Sequence, residues 1–196
     1  MSLPNRITIV RITLIPLMVL GFYLDEMIEG FKLGGLIAAA LFSLAAITDF
    51  LDGYIARKRN LITTVGKFLD PIADKVLVIT ALFLIVEGGL VAAPYGAIFS
   101  SLIVARELMI SGFRQIAASS GVVISADKSG KIKAVFQDIA MIMFLLLKTV
   151  RQFPELFGGA LIDAYATLSY VVLAAAVILT IWSGIAYIVK NKAVFG

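Results

Sequence analysis

Residues 49–75 read DFLDGYIARKRNLITTVGKFLDPIADK, and this polar stretch lies between two apolar segments of the chain. Residues 33–48 before it and residues 76–86 after it contain no charged side chain. Apolar runs become membrane-spanning helices when they reach about 20 residues together with their ends. The stretch therefore predicts a hairpin in which one span ends and the next begins at the same membrane surface.

The composition of the whole chain also indicates a membrane protein. Its 196 residues are 61% hydrophobic and 15% charged, with a mean hydropathy of +1.02. Soluble domains carry about 25% charged residues, and a soluble fold of this size could not bury so much apolar surface. At about 20 residues for each span, the length suits a single membrane domain, residues 1–196, with six spans.

The apolar runs predict an all-α integral membrane protein with six transmembrane helices. A short amino-terminal segment, Ser2–Arg11, is expected to lie near the membrane interface and to lead into the first span. The predicted spans are Ile7–Leu24, a second span that begins with Leu33–Thr48, Lys67–Leu90, Pro94–Phe113, Lys131–Val150 and Leu161–Val189.

Basic residues are concentrated on one side of the predicted bundle. They lie between spans two and three, between spans four and five, and in the tail: Arg57, Lys58, Arg59 and Lys67; Arg114, Lys128, Lys131 and Lys133; Lys190 and Lys192. Cytoplasmic loops of membrane proteins carry an excess of lysine and arginine. Both termini are therefore expected to face the cytoplasm, together with the polar hairpin.

The chain contains no cysteine and no histidine. Their absence excludes disulfide bonds, catalytic thiols, histidine general bases and zinc sites built on histidine or cysteine. Any metal ion must then be bound by oxygen atoms, which favours Mg²⁺, Mn²⁺ or Ca²⁺.

Four aspartates lie in the polar hairpin, in two pairs. Asp49 and Asp52 are three residues apart. Asp70 and Asp74 are four residues apart. In a helix, either spacing places both side chains of a pair on one face. Four carboxylates that converge at a membrane surface repel one another unless cations lie between them. Two divalent ions would relieve that repulsion and could clamp phosphoryl oxygens, whereas ion pairs with basic side chains of the same segment are the alternative interpretation.

Small and basic residues follow the first pair of aspartates. Gly53 and Ala56 continue the helix face of that pair and leave a flat surface that a ring or a phosphate could approach. Arg57 comes next, and its guanidinium is a planar fork suited to phosphate. The segment therefore predicts binding of a phosphate-containing ligand beside the carboxylates.

Together these residues resemble the signature of the CDP-alcohol phosphatidyltransferases. The matching positions are Asp49-x2-Asp52-Gly53-x2-Ala56-Arg57-x8-Gly66-x3-Asp70-x3-Asp74. Eight fixed residues at fixed spacings are a far more specific signal than one glycine-rich loop. Further stretches look like the phosphatidylglycerophosphate synthase branch of the family: Leu3–Thr8, Gly66–Lys75, Arg106–Leu108 and Gly130–Ala134.

The resemblance implies an enzyme that transfers a phosphatidyl group from CDP-diacylglycerol to an alcohol and releases CMP. It also implies a homodimer in the bacterial cytoplasmic membrane, with the active site at the cytoplasmic interface. Two Mg²⁺ or Mn²⁺ ions would be bound by four aspartates, of which the last would also be the general base: Asp49, Asp52, Asp70 and Asp74.

The resemblance further assigns residues to the CDP-diacylglycerol site. Three belong to the signature: Gly53, Ala56 and Arg57. Two belong to the amino-terminal segment, Asn5 and Thr8, although a helix cap by Asn5 is an alternative.

Basic residues near the cytoplasmic ends of spans four and five point to the acceptor alcohol. Arg106 and Arg114 are eight residues apart, about two helical turns, so they share roughly one face. Lys131 and Lys133 open span five on the same side. A cationic cluster beside an anionic donor indicates an anionic acceptor, and glycerol 3-phosphate fits because phosphate binds arginine and lysine. Either lysine could instead be an ordinary anchor of the positive-inside kind.

Other functions stay open on the sequence. One is an enzyme of the same family with serine, inositol phosphate or a second phospholipid as the acceptor. An intramembrane prenyltransferase would be expected to carry two separate aspartate-rich motifs. A divalent-cation transporter would be expected to have acids near the middle of the membrane, often with an inverted repeat. The predicted partners are CDP-diacylglycerol, glycerol 3-phosphate and membrane lipid, with no nucleic acid.

Overall fold

The computed structural model describes three ranges of the chain: residues 3–59, 64–119 and 128–191. Side chains are described for residues 8–48, 72–119 and 129–191. The described part is helical and contains no strand, which confirms the all-α prediction. Its helices are α1 (Leu3–Met27), α2 (Gly34–Arg59), α3 (Thr64–Glu87), α4 (Tyr95–Ser119), α5 (Lys128–Val150), α6 (Pro154–Phe157) and α7 (Gly159–Lys190).

Each predicted span corresponds to one long helix, with boundaries that differ by a few residues. The amino-terminal segment is not a separate element, because α1 runs without interruption from Leu3 through Arg11 into the first apolar run. The short helix α6 was not predicted. It begins at Pro154, a residue suited to a first helical turn, and its four residues are too few to give a periodic pattern.

Three described stretches are long and apolar enough to cross a membrane. They are Thr8–Met27, Tyr95–Ser119 and Gly159–Lys190. The apolar part of α2, Gly34–Thr48, is shorter. These helices belong to a membrane protein, and the count of six spans stays a prediction.

The helices pack into one bundle around an aromatic and aliphatic core. α1 packs on α2 and α3, α5 packs on α2 and α7, and α4 packs on α3 and α7. Phe22, Phe42 and Phe144 are fully buried where α1, α2 and α5 meet. Large apolar side chains also point outward, such as Phe83 at 66% and Ile178 at 66% exposure. A bilayer would cover such an outer surface, because lipid tails are themselves apolar.

Polar contacts join the helices at the end of the bundle where α1 ends and α2 begins, here called the closed end. Asp25 accepts a hydrogen bond from the backbone N–H of Gly34 at 2.5 Å and another from Gln152 Nε2 at 2.6 Å. Lys148 Nζ lies 3.7 Å from the same carboxylate. One carboxylate thus holds the start of α2 and the end of α5 against the end of α1.

Two tyrosine hydroxyls extend this network. Tyr23 on α1 donates a hydrogen bond to Glu87 at the end of α3, at 2.6 Å. The backbone N–H of Ala92, in the connection after α3, donates to the hydroxyl of Tyr170 on α7 at 2.8 Å. The closed end therefore links five of the long helices.

Helices α2 and α5 approach each other closely at Gly35. A Cβ atom at this position would overlap the carbonyl oxygen of Leu145 and would lie 2.9 Å from the backbone nitrogen of Thr149. The neighbouring backbone N–H of Leu36 donates to Thr149 Oγ1 at 2.8 Å. Only glycine leaves room for this contact, since backbone atoms on α5 cannot rotate away.

Gly35→Ala is therefore expected to destabilise the protein, by about 1–3 kcal/mol, because the added methyl group must push two helices apart. Thermal unfolding in detergent would measure the effect. Gly112→Ala is the matched control, since a Cβ there meets nothing within 4 Å. Alanine is also the better helix former by about 1 kcal/mol, so the control should be neutral or stabilising. Equal destabilisation by both changes would contradict the proposed helix contact.

Candidate functional site

A cavity of about 360 Å³ lies at the end of the bundle opposite the closed end. It is bordered by the first half of α3, the second half of α4 and the first turns of α5. The lining residues are Asp74, Lys75, Val78, Arg106, Glu107, Arg114, Gly130, Lys131, Lys133, Ala134, Gln137 and Asp138.

This cavity brings together five residues that the sequence singled out for two different reasons. Asp74 was the expected general base, and it is exposed on the α3 wall. The expected acceptor-binding residues lie on the facing walls: Arg106, Arg114, Lys131 and Lys133. Residues far apart in the sequence thus share one space of a size suited to a small ligand.

The other predicted site residues fall into two groups. The side chains of most lie outside the described residues, although the helices that carry them are described: Asn5 on α1; Asp49, Asp52, Gly53, Ala56 and Arg57 on α2; Asp70 on α3. Thr8 is described and is fully buried in α1, and the structure does not bring it to the cavity.

Arg106 projects from α4 towards α7 and is only 15% exposed. Its Nη2 donates to Ser183 Oγ at 3.0 Å, and its Nη1 lies 3.4 Å from Glu107 Oε1. Its Nε is buried and has no hydrogen-bond partner among the described residues. A Cβ atom at Gly184 would lie 3.2 Å from Arg106 Cγ, so this glycine gives the side chain its space.

Glu107 balances two of the cations. Its Oε1 accepts a hydrogen bond from Lys133 Nζ and faces Arg106. The side chain of Lys133 is only 4% exposed and that of Glu107 is 17% exposed. A buried ammonium needs such a partner, because an isolated charge loses its hydration.

Arg114 is held by the same face of α7, one helical turn further on. Its Nε donates to the hydroxyl of Tyr187 at 3.1 Å, and its guanidinium carbon lies 5.2 Å from the centre of that ring. Phe113 packs edge-on against Tyr187 at 5.7 Å. α7 therefore positions both arginines without contributing to the cavity lining given by the described residues.

Sequence reasoning missed Glu107 as a counter-ion, and it missed Ser183 and Tyr187 altogether. The only signal was that these two polar residues lie four apart within residues 164–189, a stretch without a charged side chain. That spacing also occurs wherever hydroxyl groups bond to their own helix backbone, so it could not have identified partners on α4.

The cavity has an excess of positive charge. Five basic side chains line it, against three carboxylates. Cations with unused donors favour an anion, above all a phosphate, which accepts several charge-assisted hydrogen bonds. A larger cavity of about 520 Å³ lies near the closed end, around Lys32 and residues 151–156, and contains none of the predicted site residues.

The side chains predicted to bind the metal ions are all carboxylates, and these ligands suit Mg²⁺ and Mn²⁺. Asp74, the one member whose side chain is described, lines the cavity. The described side chains include no group of three that could hold a metal ion, and the side chains of the other three predicted ligands are not among those described. The metal site therefore stays a prediction, and the carboxylate ligands predicted for it suit Mg²⁺ or Mn²⁺.

Comparisons with known proteins agree with one another. A family model described as CDP-alcohol phosphatidyltransferase matches residues 1–182. A protein of Bacillus subtilis (strain 168) is 41% identical over 152 residues, which cover 74% of this chain and 77% of the relative. A protein of Sodalis glossinidius is 34% identical over 193 residues, 96% of this chain and 93% of the relative. Both relatives are named CDP-diacylglycerol–glycerol-3-phosphate 3-phosphatidyltransferase.

The pair formed by Glu107 and Lys133 can be tested by a double-mutant cycle. Lys133→Met should destabilise the protein by about 3 kcal/mol, because it leaves a carboxylate with one cation fewer in a partly buried site. The double variant, with Lys133→Met and Glu107→Gln, should lose clearly less free energy of unfolding than the sum of the losses in the two single variants. Thermal unfolding in detergent would measure all four proteins, and additive effects would contradict the pairing.

Proposed function

Because the chain belongs to the CDP-alcohol phosphatidyltransferase family, we propose that it transfers the phosphatidyl group of CDP-diacylglycerol to glycerol 3-phosphate. The products are phosphatidylglycerophosphate and CMP. The names of the relatives support this reaction. The observation that carries the choice of acceptor is the cavity in which Asp74 faces Arg106, Arg114, Lys131 and Lys133.

The acceptor phosphate binds the two arginines and the exposed lysine. Arg106 and Arg114 offer planar forks that match phosphate oxygens. Lys131 is exposed at the start of α5 and adds charge at the entrance. Lys133 is already paired with Glu107, so it supports the site mainly through the local charge balance. A neutral or zwitterionic acceptor would leave this excess of cations unused.

The donor substrate, CDP-diacylglycerol, binds beside the aspartates of the hairpin. Gly53, Ala56 and Arg57, with Asn5 and Thr8, are the proposed contacts to its CDP part. Two Mg²⁺ or Mn²⁺ ions would be held by four aspartates: Asp49, Asp52, Asp70 and Asp74. When bound, these ions would supply positive charge that neutralises the diphosphate and stabilises CMP as a leaving group.

Asp74 moves the proton in this reaction. Its carboxylate accepts the proton of the acceptor hydroxyl, whose oxygen forms a bond to the phosphorus that carries diacylglycerol. The bond from that phosphorus to the CMP oxygen breaks. A carboxylate is the natural base here, because the chain has no histidine.

The proposed setting is the bacterial cytoplasmic membrane, with six spans and both termini in the cytoplasm. A site at that surface can receive a lipid donor from the bilayer and a water-soluble acceptor from the cytoplasm. The protein is proposed to act as a homodimer.

The test uses purified protein in detergent with CDP-diacylglycerol, Mg²⁺ and labelled glycerol 3-phosphate. Metal-dependent release of CMP together with label in the lipid phase, both abolished by EDTA, would support the donor, the acceptor and the metal. CMP release with a different alcohol alone would keep the reaction and overturn the acceptor. No CMP release with any alcohol, from folded protein, would overturn the reaction.

Asp74→Asn is expected to reduce turnover by at least about a hundredfold, because the amide cannot accept the proton. Binding of CDP-diacylglycerol should change little, as measured by titration with the metal present. An equal loss of donor binding would instead assign Asp74 chiefly to the metal ions.

Arg106→Ala should raise the KM for glycerol 3-phosphate by about 10–100-fold, since charge-assisted hydrogen bonds to the phosphate are lost. The KM for CDP-diacylglycerol should stay within about twofold. Arg151→Ala is the matched control, because Arg151 lines the other cavity. An unchanged acceptor KM in the Arg106 variant would remove this arginine from the site.

A further inference from the structure

One buried polar group in the cavity has no use in the reaction described so far. Gln137 lies on α5, one turn beyond Lys133, and is only 2% exposed. Its Oε1 is buried and has no hydrogen-bond partner in the described part of the chain. Buried amide oxygens are nearly always bonded, so an unpaired one that borders a cavity indicates a ligand.

The surroundings of Gln137 favour a neutral hydroxyl as that ligand. The cations of the cavity suit a phosphate, and its carboxylates suit metal ions or a proton. An amide carries no charge, and it can accept a hydrogen bond through oxygen and donate one through nitrogen. Gly130 and Ala134, on the same stretch of α5, are small and leave space in front of this wall.

We propose that Gln137 binds the hydroxyl on the middle carbon of glycerol 3-phosphate and makes the enzyme selective for acceptors that carry it; this rests on the proposed function. The reacting hydroxyl lies at Asp74 on α3, and the phosphate lies at the arginines of α4. The middle hydroxyl then faces the third wall, α5, where Gln137 is placed.

Selectivity follows from the cost of leaving polar groups unpaired. An acceptor without the middle hydroxyl leaves the Oε1 atom of Gln137 buried and without a partner, whereas glycerol 3-phosphate donates a hydrogen bond to it. Sites that bond a substrate hydroxyl reject the analogue that lacks it far better than apolar pockets reject an extra group. Gln137 is thus a specificity-determining residue that contacts the acceptor and transfers no proton.

The experiment compares glycerol 3-phosphate with 3-hydroxypropyl phosphate, which lacks only the middle hydroxyl. The wild-type protein should prefer glycerol 3-phosphate by at least about tenfold in kcat/KM. Gln137→Met should lower kcat/KM for glycerol 3-phosphate by about tenfold and leave that for the analogue within about threefold. The preference should therefore largely disappear, while the KM for CDP-diacylglycerol stays within about twofold.

Controls separate this role from a structural one. Gln115→Leu removes an amide from an exposed position of α4 that does not line the cavity, and it should preserve the preference. If Gln137→Met does not fold, Gln137→Asn replaces it, because it withdraws the amide from the cavity and should also weaken the preference.

Two results would overturn the inference in different ways. In the first, the protein uses glycerol 3-phosphate, but Gln137→Met lowers kcat/KM equally for both acceptors, or the wild type shows no preference between them. The proposed acceptor then stands, and the proposed role of Gln137 is wrong. If the wild type uses neither phosphate but releases CMP with another alcohol, the proposed acceptor is wrong and this inference falls with it.

Discussion

The burial of a guanidinium within an apolar helix is the main constraint on this structure. Arg106 lies in α4, which is apolar enough to cross a membrane, and a charge in such a place is costly unless it is bonded. α7 meets this need with the hydroxyl of Ser183 and the space left by Gly184. α4 and α7 can pack only in a register that keeps the hydrogen bond to Ser183 and the space at Gly184. The side chain of Arg106 thus fixes how the two helices meet.

The same constraint produces a site ready for an anion. Glu107 is shared between Arg106 and Lys133, and this single carboxylate does not neutralise the whole cluster. Arg114, held by Tyr187, keeps further donors available. Because these groups are fixed by packing before any ligand arrives, an incoming phosphate does not have to reorganise them, and their attraction is strongest where water is scarce.

The fold and much of the site could be predicted because their signals are strong. Long apolar runs gave the helices, and charged residues placed in apolar helices, such as Arg106, marked the cavity walls. Ser183 and Tyr187 could not be found, because a hydroxyl in an apolar helix usually bonds to its own backbone. The burial of Thr8 was equally invisible, since one helix does not show which face another will cover. Gln137 needed the three-dimensional structure, which alone shows that its buried amide oxygen has no partner among the described residues.

The arrangement of the helices separates the two substrates of the proposed reaction. The groups that would bind the donor lie on α1, α2 and α3, whereas the groups that would bind the acceptor lie on α4 and α5. The two sets meet at Asp74. α7 stands behind the acceptor side and acts only through Arg106 and Arg114. Changes on α4, α5 or α7 can therefore alter the choice of acceptor while the donor site and the proton-accepting carboxylate stay as they are. One scaffold could in this way serve several alcohols, because specificity and chemistry depend on different helices.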